Sequence, residues 1–235
     1  MRTGSGGEFG STAPAPEEQM AAASGRTGRP PLTEERRAEI RLEIARAALD
    51  LFVAQGVAAT TGEQIGRAVG ISARTVWRYF PTKESCVRPL LTAGAGLVAE
   101  TLRQWRPGQP LDEAFDFERR AAAEDDRLLA APAHATVGAL VRLTRTEPGL
   151  RAVWLQTYDE AEPVFARALA ERAGLPADDL RPAIQAAMFN AALRAAVEHH
   201  AWHAADDTRT DAATARADLA RVLRTALTTA AAGLS

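Results

Sequence analysis

Residues 72–79, Ser-Ala-Arg-Thr-Val-Trp-Arg-Tyr, set guanidinium groups, hydroxyls, a phenol and an indole along one short stretch. If the stretch is helical, Val76 and Phe80 face inward. Ser72, Ala73, Arg74, Thr75, Trp77, Arg78 and Tyr79 then occupy the remaining faces. That set suits nucleic acid. Arginine pairs bidentately with guanine edges, small residues allow close approach, and hydroxyls meet phosphates. Spacing alone is equally satisfied by a helical hairpin with an Arg-rich solvated face.

The elements that must position these groups are legible on both sides. Thr60 to Lys83 parses as two short helices about a tight turn. Thr61 with Gln64 three residues on has the capping-box spacing, and Ile65, Ala68 and Val69 give an inward stripe. Gly70 stands where a left-handed residue ends a helix, Ile71 plugs the turn, and Ser72 caps a second helix that Phe80-Pro81 stops. Two helices about a Gly-containing turn make a helix-turn-helix, whose second helix enters the DNA major groove.

The string closely resembles the DNA-binding segment of the TetR (tetracycline repressor) family of bacterial transcriptional regulators. The residues that carry the resemblance are the Thr60-Thr61 pair, Gly70-Ile71-Ser72 and the run Trp77-Arg78-Tyr79-Phe80-Pro81-Thr82-Lys83-Glu84. Two positions depart from the family's pattern: Trp77, where Tyr is commoner, and Gly62, a flexible residue in a first helical turn. The resemblance implies an all-α chain of about nine helices. It also implies a sequence-specific DNA-binding regulator that dimerises through its last two helices and is released from a palindromic operator by a small-molecule effector.

Composition agrees. The 235 residues, 46% hydrophobic and 25% charged, describe a water-soluble globular chain. No apolar run approaches the roughly 18 residues of a membrane span, and no signal peptide is visible. Cys86 is alone, so there is no disulfide framework or cysteine metal motif, as expected in a reducing cytoplasm. From Arg26 to Leu90 eleven Arg/Lys face seven Asp/Glu, a net of +4, whereas Leu91 to Ser235 carries sixteen against twenty, a net of −4. The positive end is where counterion release from phosphates is wanted.

Along the chain, residues 1–31 are expected to be a disordered arm whose Arg26-Thr-Gly-Arg29-Pro30 segment either reaches into a minor groove or is a solvated linker. Residues 32–81 form the DNA-binding head, with helix one from Thr33 to about Gln55. Residues 82–235 form the body. Its helix four starts at Thr82 or Lys83 and bends near Pro89 and Gly94/Gly96. Further helices are expected over about 111–129, 133–145, 149–173, 179–204 and 210–231.

Candidate DNA contacts are Arg29, Thr61, Ser72, Ala73, Arg74, Thr75, Trp77, Arg78, Tyr79 and Lys83. Ala73, Arg74 and Arg78 are assigned to bases; Thr61, Thr75, Trp77, Tyr79 and Lys83 to phosphates. Ile184, Met188, Ala191 and Ala195, with Leu219, Leu223 and Leu227, have the spacing of a four-helix dimer interface, although burial within one monomer satisfies it too. Trp105, Phe115, Phe117, His134, Trp154, Tyr158, Phe189 and Asn190 are the candidate walls of an effector pocket, each of which could instead be core. No cofactor is called for. His199 and His203 share a helix face at a zinc-like spacing, with Asp206 or Asp207 nearby, but histidines at a helix C-terminus explain themselves without a metal. No nucleophile elbow, Walker loop, dinucleotide motif or Glu-x-x-His pair is present, so catalysis is not expected. The rival reading is a helical ligand- or metal-sensing protein whose head serves as an interaction module.

Overall fold

Glu34–Gln55 forms α1, with Glu34 and Glu35 at the positive end of the helix, and Gly56 ends it at φ 84°, a left-handed value that glycine adopts freely. The computed structural model describes residues 33–122, 131–203 and 211–232. After α1 come α2 (Gly62–Ala68) and α3 (Ala73–Tyr79), then a 3-10 turn over Glu84–Val87 that leads into α4 (Arg88–Gln104).

Helix four therefore begins later than its sequence suggests. Thr82 and Ser85 each accept the other's backbone N–H on a side-chain oxygen, both at 3.1 Å, which closes a tight turn instead of an α-helical one. Pro89 falls in the first turn of α4, where its missing N–H is no loss, so it interrupts nothing.

The helix expected over 111–129 is divided into α5 (Leu111–Phe115) and α6 (Phe117–Ala122) by Asp116 at φ 40°. Aspartate tolerates the left-handed region better than most residues. Here its carboxylate also accepts from the Arg119 backbone N–H at 3.3 Å, so the break is itself the cap of α6. Four long helices follow: α7 (Ala131–Leu143), α8 (Pro148–Ala173), α9 (Leu180–His203) and α10 (Ala212–Ala232). The described residues thus hold ten α-helices and no strand, the expected nine with one divided.

Apolar packing organises around two main cores. One lies between α4, α5, α6, α8, α9 and α10, with Leu102, Phe115, Phe165 and Leu227 at its centre. The other is built on α1–α3 from Ile44, Phe52, Ile65 and Val76, and runs on through Cys86 and Val87 to Leu140 of α7 and Leu150 of α8. Cys86 is fully buried, and desolvation pushes its thiol up to about 12, so it behaves as a small apolar filler.

Candidate nucleic-acid interface and effector cavity

The helix-turn-helix is built by local hydrogen bonds. The Thr61 hydroxyl accepts from Gln64 N–H at 3.3 Å while the Gln64 side chain accepts from Thr61 N–H at 2.8 Å, completing the capping box. Gly70 is at φ 71°, and the Ser72 hydroxyl accepts from Thr75 N–H at 3.2 Å to start α3. Gly66 makes the tight crossing possible, because a Cβ there would lie 2.6 Å from the Ile71 carbonyl oxygen. Val76 and Phe80 face the core; Ser72, Arg74, Trp77 and Arg78 are exposed, and Ala73, Thr75 and Tyr79 are half-buried. Ser72 and Thr75 share a hydroxyl hydrogen bond of 3.0 Å. The Tyr79 ring is faced by the guanidinium groups of Arg78 at 5.4 Å and Arg41 at 5.8 Å.

The two departures from the family's pattern are one contact. A Cβ on Gly62 would lie 2.1 Å from Cζ2 of Trp77, so the indole lies against the α2 backbone in the space that a side chain would fill. Gly62→Ala is therefore expected to lower stability by about 1–3 kcal/mol through overpacking, and to be harmless once Trp77 is alanine. Urea unfolding of the two single variants and the double variant measures the coupling. Strictly additive effects would show that the two residues do not meet.

Lys83 lies elsewhere than its phosphate assignment supposes. Its ammonium reaches back to the α1–α2 connection and donates to the carbonyls of Val57 (2.6 Å), Thr60 (3.2 Å) and Ala58 (3.3 Å). Lysine has three N–H donors, and three carbonyls receive them. Arg29 lies outside the described residues.

A cavity of about 210 Å³ opens in the body among α4 to α10. It gathers five of the candidate pocket residues, Phe115, Phe117, Trp154, Tyr158 and Asn190. Two others lie off it. Phe189 packs behind the wall, its ring 5.4 Å from Phe115 and 5.7 Å from Phe165. Trp105 ends α4, where Arg172 sits 3.9 Å over its ring and its indole N–H donates to the Gln109 carbonyl at 2.7 Å. His134 falls on α7, with its side chain outside the described residues.

The proposed dimer set also divides. Ile184 and Met188 are 50% and 45% exposed, and Ala191 and Ala195 continue their line along α9; Leu180, at 69%, extends it backwards. Leu219, Leu223 and Leu227 point the other way, into the chain's own core. The outward face of α10 is Ala217, Arg221, Thr225 and Thr228 instead. The His199 and His203 rings stack at 4.3 Å, with a 2.8 Å contact between His203 Nδ1 and the His199 carbonyl; Asp206 and Asp207 lie outside the described residues.

Comparisons with known proteins give this geometry its relatives. A family profile described as "Bacterial regulatory proteins, tetR family" matches residues 44–90, and one described as "MftR C-terminal domain" matches residues 139–235. The HTH-type transcriptional regulator TcmR of Streptomyces glaucescens is 32% identical over 203 residues, covering 78% of this chain and 81% of that one. The chain belongs to the TetR family.

Solved structures agree on the fold. A TetR-family transcriptional regulator of Mesorhizobium loti superposes with a TM-score of 0.50 at 18% identity, covering 86% of this chain and 98% of the other. Salmonella enterica GusR gives 0.50 at 20% identity, covering 84% and 97%. This TetR-family chain is thus a transcriptional regulator with an N-terminal DNA-binding head and a helical body.

Two residues beside the cavity carried no sequence signal. Glu198 is buried and accepts from Arg151 at 2.5 Å, from the Trp154 indole N–H at 2.7 Å and from Arg194 at 3.3 Å. Burial pushes its carboxyl up, but the hydrogen bonds from Arg151 and Trp154 outweigh that and hold it below the ordinary glutamate value. His200 lines the cavity, and desolvation lowers its pKa.

Proposed function

We propose that this TetR-family regulator is a cytoplasmic homodimeric repressor that reads a palindromic operator and is released when a small molecule enters the cavity of its body. The division of labour places DNA reading in residues 32–81 and effector binding and dimerisation in 82–235. Arg74 and Arg78 take base edges beside the small Ala73. Ser72, Thr61, Thr75, Trp77 and Tyr79 meet phosphates, and the arm bearing Arg29 follows the minor groove.

The observation that carries the switch is the position of Leu90 and Leu91. Both line the cavity, and both pack against the apolar core built on α1–α3. A ligand that moves this turn of α4 therefore moves the base of the head. The link is reinforced by the Arg88–Glu160 ion pair, which ties the same turn to α8. A coupling of about 1–3 kcal/mol between the two sites is enough for regulation.

Dimerisation is supported by the exposed apolar line of Leu180, Ile184 and Met188 on α9. Two-fold symmetry would set Met188 near its own copy. Met188→Asp is therefore expected to give a monomer in sedimentation velocity at concentrations where the parent is a dimer, and to abolish operator binding while the melting temperature of the monomer fold is kept. A dimeric Met188→Asp protein would remove this face from the interface.

A further inference from the structure

Asn190 is 4% exposed, lies on the cavity wall, and has a side-chain amide whose orientation the hydrogen bonding fixes. Its Nδ2 donates to the Tyr158 carbonyl at 2.8 Å, a contact only the amide nitrogen can make. Its Oδ1 is thereby committed to be an acceptor, and it is the one buried side-chain polar atom among the described residues without a hydrogen-bond partner. A buried acceptor left without a donor is costly, and such atoms in folded proteins mark a place where something else supplies the donor.

The rest of the wall says what that something is. Among the described residues the cavity is lined by no Asp, Glu, Lys or Arg. Arg151 and Arg194 are turned onto Glu198, and the Arg142 guanidinium stands behind the wall, with Nη1 3.7 Å from where a Cβ on Gly138 would lie. Tyr158 is held in its neutral form, because desolvation raises its pKa further, and desolvation likewise favours neutral His200. A charged ligand would lose its hydration here and meet no charged side chain on the wall itself. At about 210 Å³ the cavity is also smaller than the roughly 300–1,000 Å³ typical of ligand sites.

We infer that the effector is a small, uncharged, mainly apolar molecule that donates one hydrogen bond to Asn190 Oδ1. This rests on the ligand-released reading above and specifies its chemistry. An aromatic body suits the Phe115, Trp154 and Tyr158 walls, and the donor is a hydroxyl or N–H on its rim.

The test uses three probes of one shape, titrated into the full-length protein by calorimetry: 2-naphthol, its methyl ether and 2-naphthoate. The alcohol is expected to bind, the ether at least about tenfold more weakly because the donor is gone, and the anion not at all. In Asn190→Leu the alcohol should lose its advantage over the ether. Equal binding of alcohol and ether to the parent protein, binding of the anion as tight as that of the alcohol, or no binding by any of the three would overturn the inference, and none of these outcomes depends on the variant folding. Fluorescence anisotropy with operator DNA separates the two layers. If the alcohol binds with the expected preference but leaves DNA affinity unchanged, the effector chemistry stands and the release reading falls.

Discussion

Replacing Glu198 by alanine is expected to lower the unfolding free energy by about 3 kcal/mol, near the lower end of what breaking a buried ion pair costs. Two losses combine. The Trp154 indole N–H, bonded to Glu198 Oε1 at 2.7 Å, becomes a buried donor without an acceptor, which costs about 1–3 kcal/mol. Arg151 and Arg194 lose their common counter-charge, but their side chains are 29% and 32% exposed, so water recovers part of that loss. Glu198→Gln keeps an acceptor for Trp154 and should cost less than the alanine. Urea unfolding of both variants checks this, with the midpoint moving and the slope unchanged. If the two variants match the parent within about 0.5 kcal/mol, the cluster is not holding the body together.

The same carboxylate sets a pH dependence. Its folded pKa lies below the unfolded value, so its contribution is complete above the ordinary glutamate value of 4.5 and is lost as pH falls through the lower folded value. The parent should therefore lose stability more steeply than Glu198→Gln below about pH 4.5. Because Trp154 lines the cavity, the Glu198 variants should also bind effector less tightly.

Arg74→Ala is the second large effect. Arg74 is exposed on α3, next to the Ser72–Thr75 hydroxyl pair. Its loss should cost about 1–3 kcal/mol of operator binding and relax the preference at one base position. Lys83→Ala should behave differently. Its ammonium holds three backbone carbonyls together, so removing it should lower the melting temperature of the head and leave base preference intact. Binding of each variant to operators randomised one position at a time distinguishes the two. A uniform loss with Arg74→Ala, unchanged in preference, would take Arg74 off the bases.

Much of this was legible because it is encoded locally. The Thr61–Gln64 capping box, the Gly70 turn and the inward Val76 are patterns within four residues of one another, and local hydrogen bonds impose them. The two ends of α8 are similarly marked, by Pro148 in its first turn and Gly174 beyond its last. What was not legible depends on which residues meet across the fold. Helical spacing groups Leu219, Leu223 and Leu227 on one face, but it cannot say whether that face looks inward; the structure turns it to the core and leaves Ile184 and Met188 outside. Phe189 and Asn190 are neighbours in sequence, yet only Asn190 reaches the cavity. Lys83 finds carbonyls 23 to 26 residues away, and Trp77 finds Gly62, contacts that no periodicity announces. Asp116 breaks a helix through one backbone angle that its own carboxylate stabilises.

The reading of one palindromic site by two copies of the Ser72–Tyr79 surface is the core of the proposed function. Its most direct test is selection of bound fragments from a genomic DNA library by the purified protein, followed by titration of the recovered fragments over a salt series. Recovery of a single inverted repeat is expected, with half-sites about one helical turn or a multiple apart and a steep fall in affinity with salt. Equal, weak binding to every fragment would contradict it.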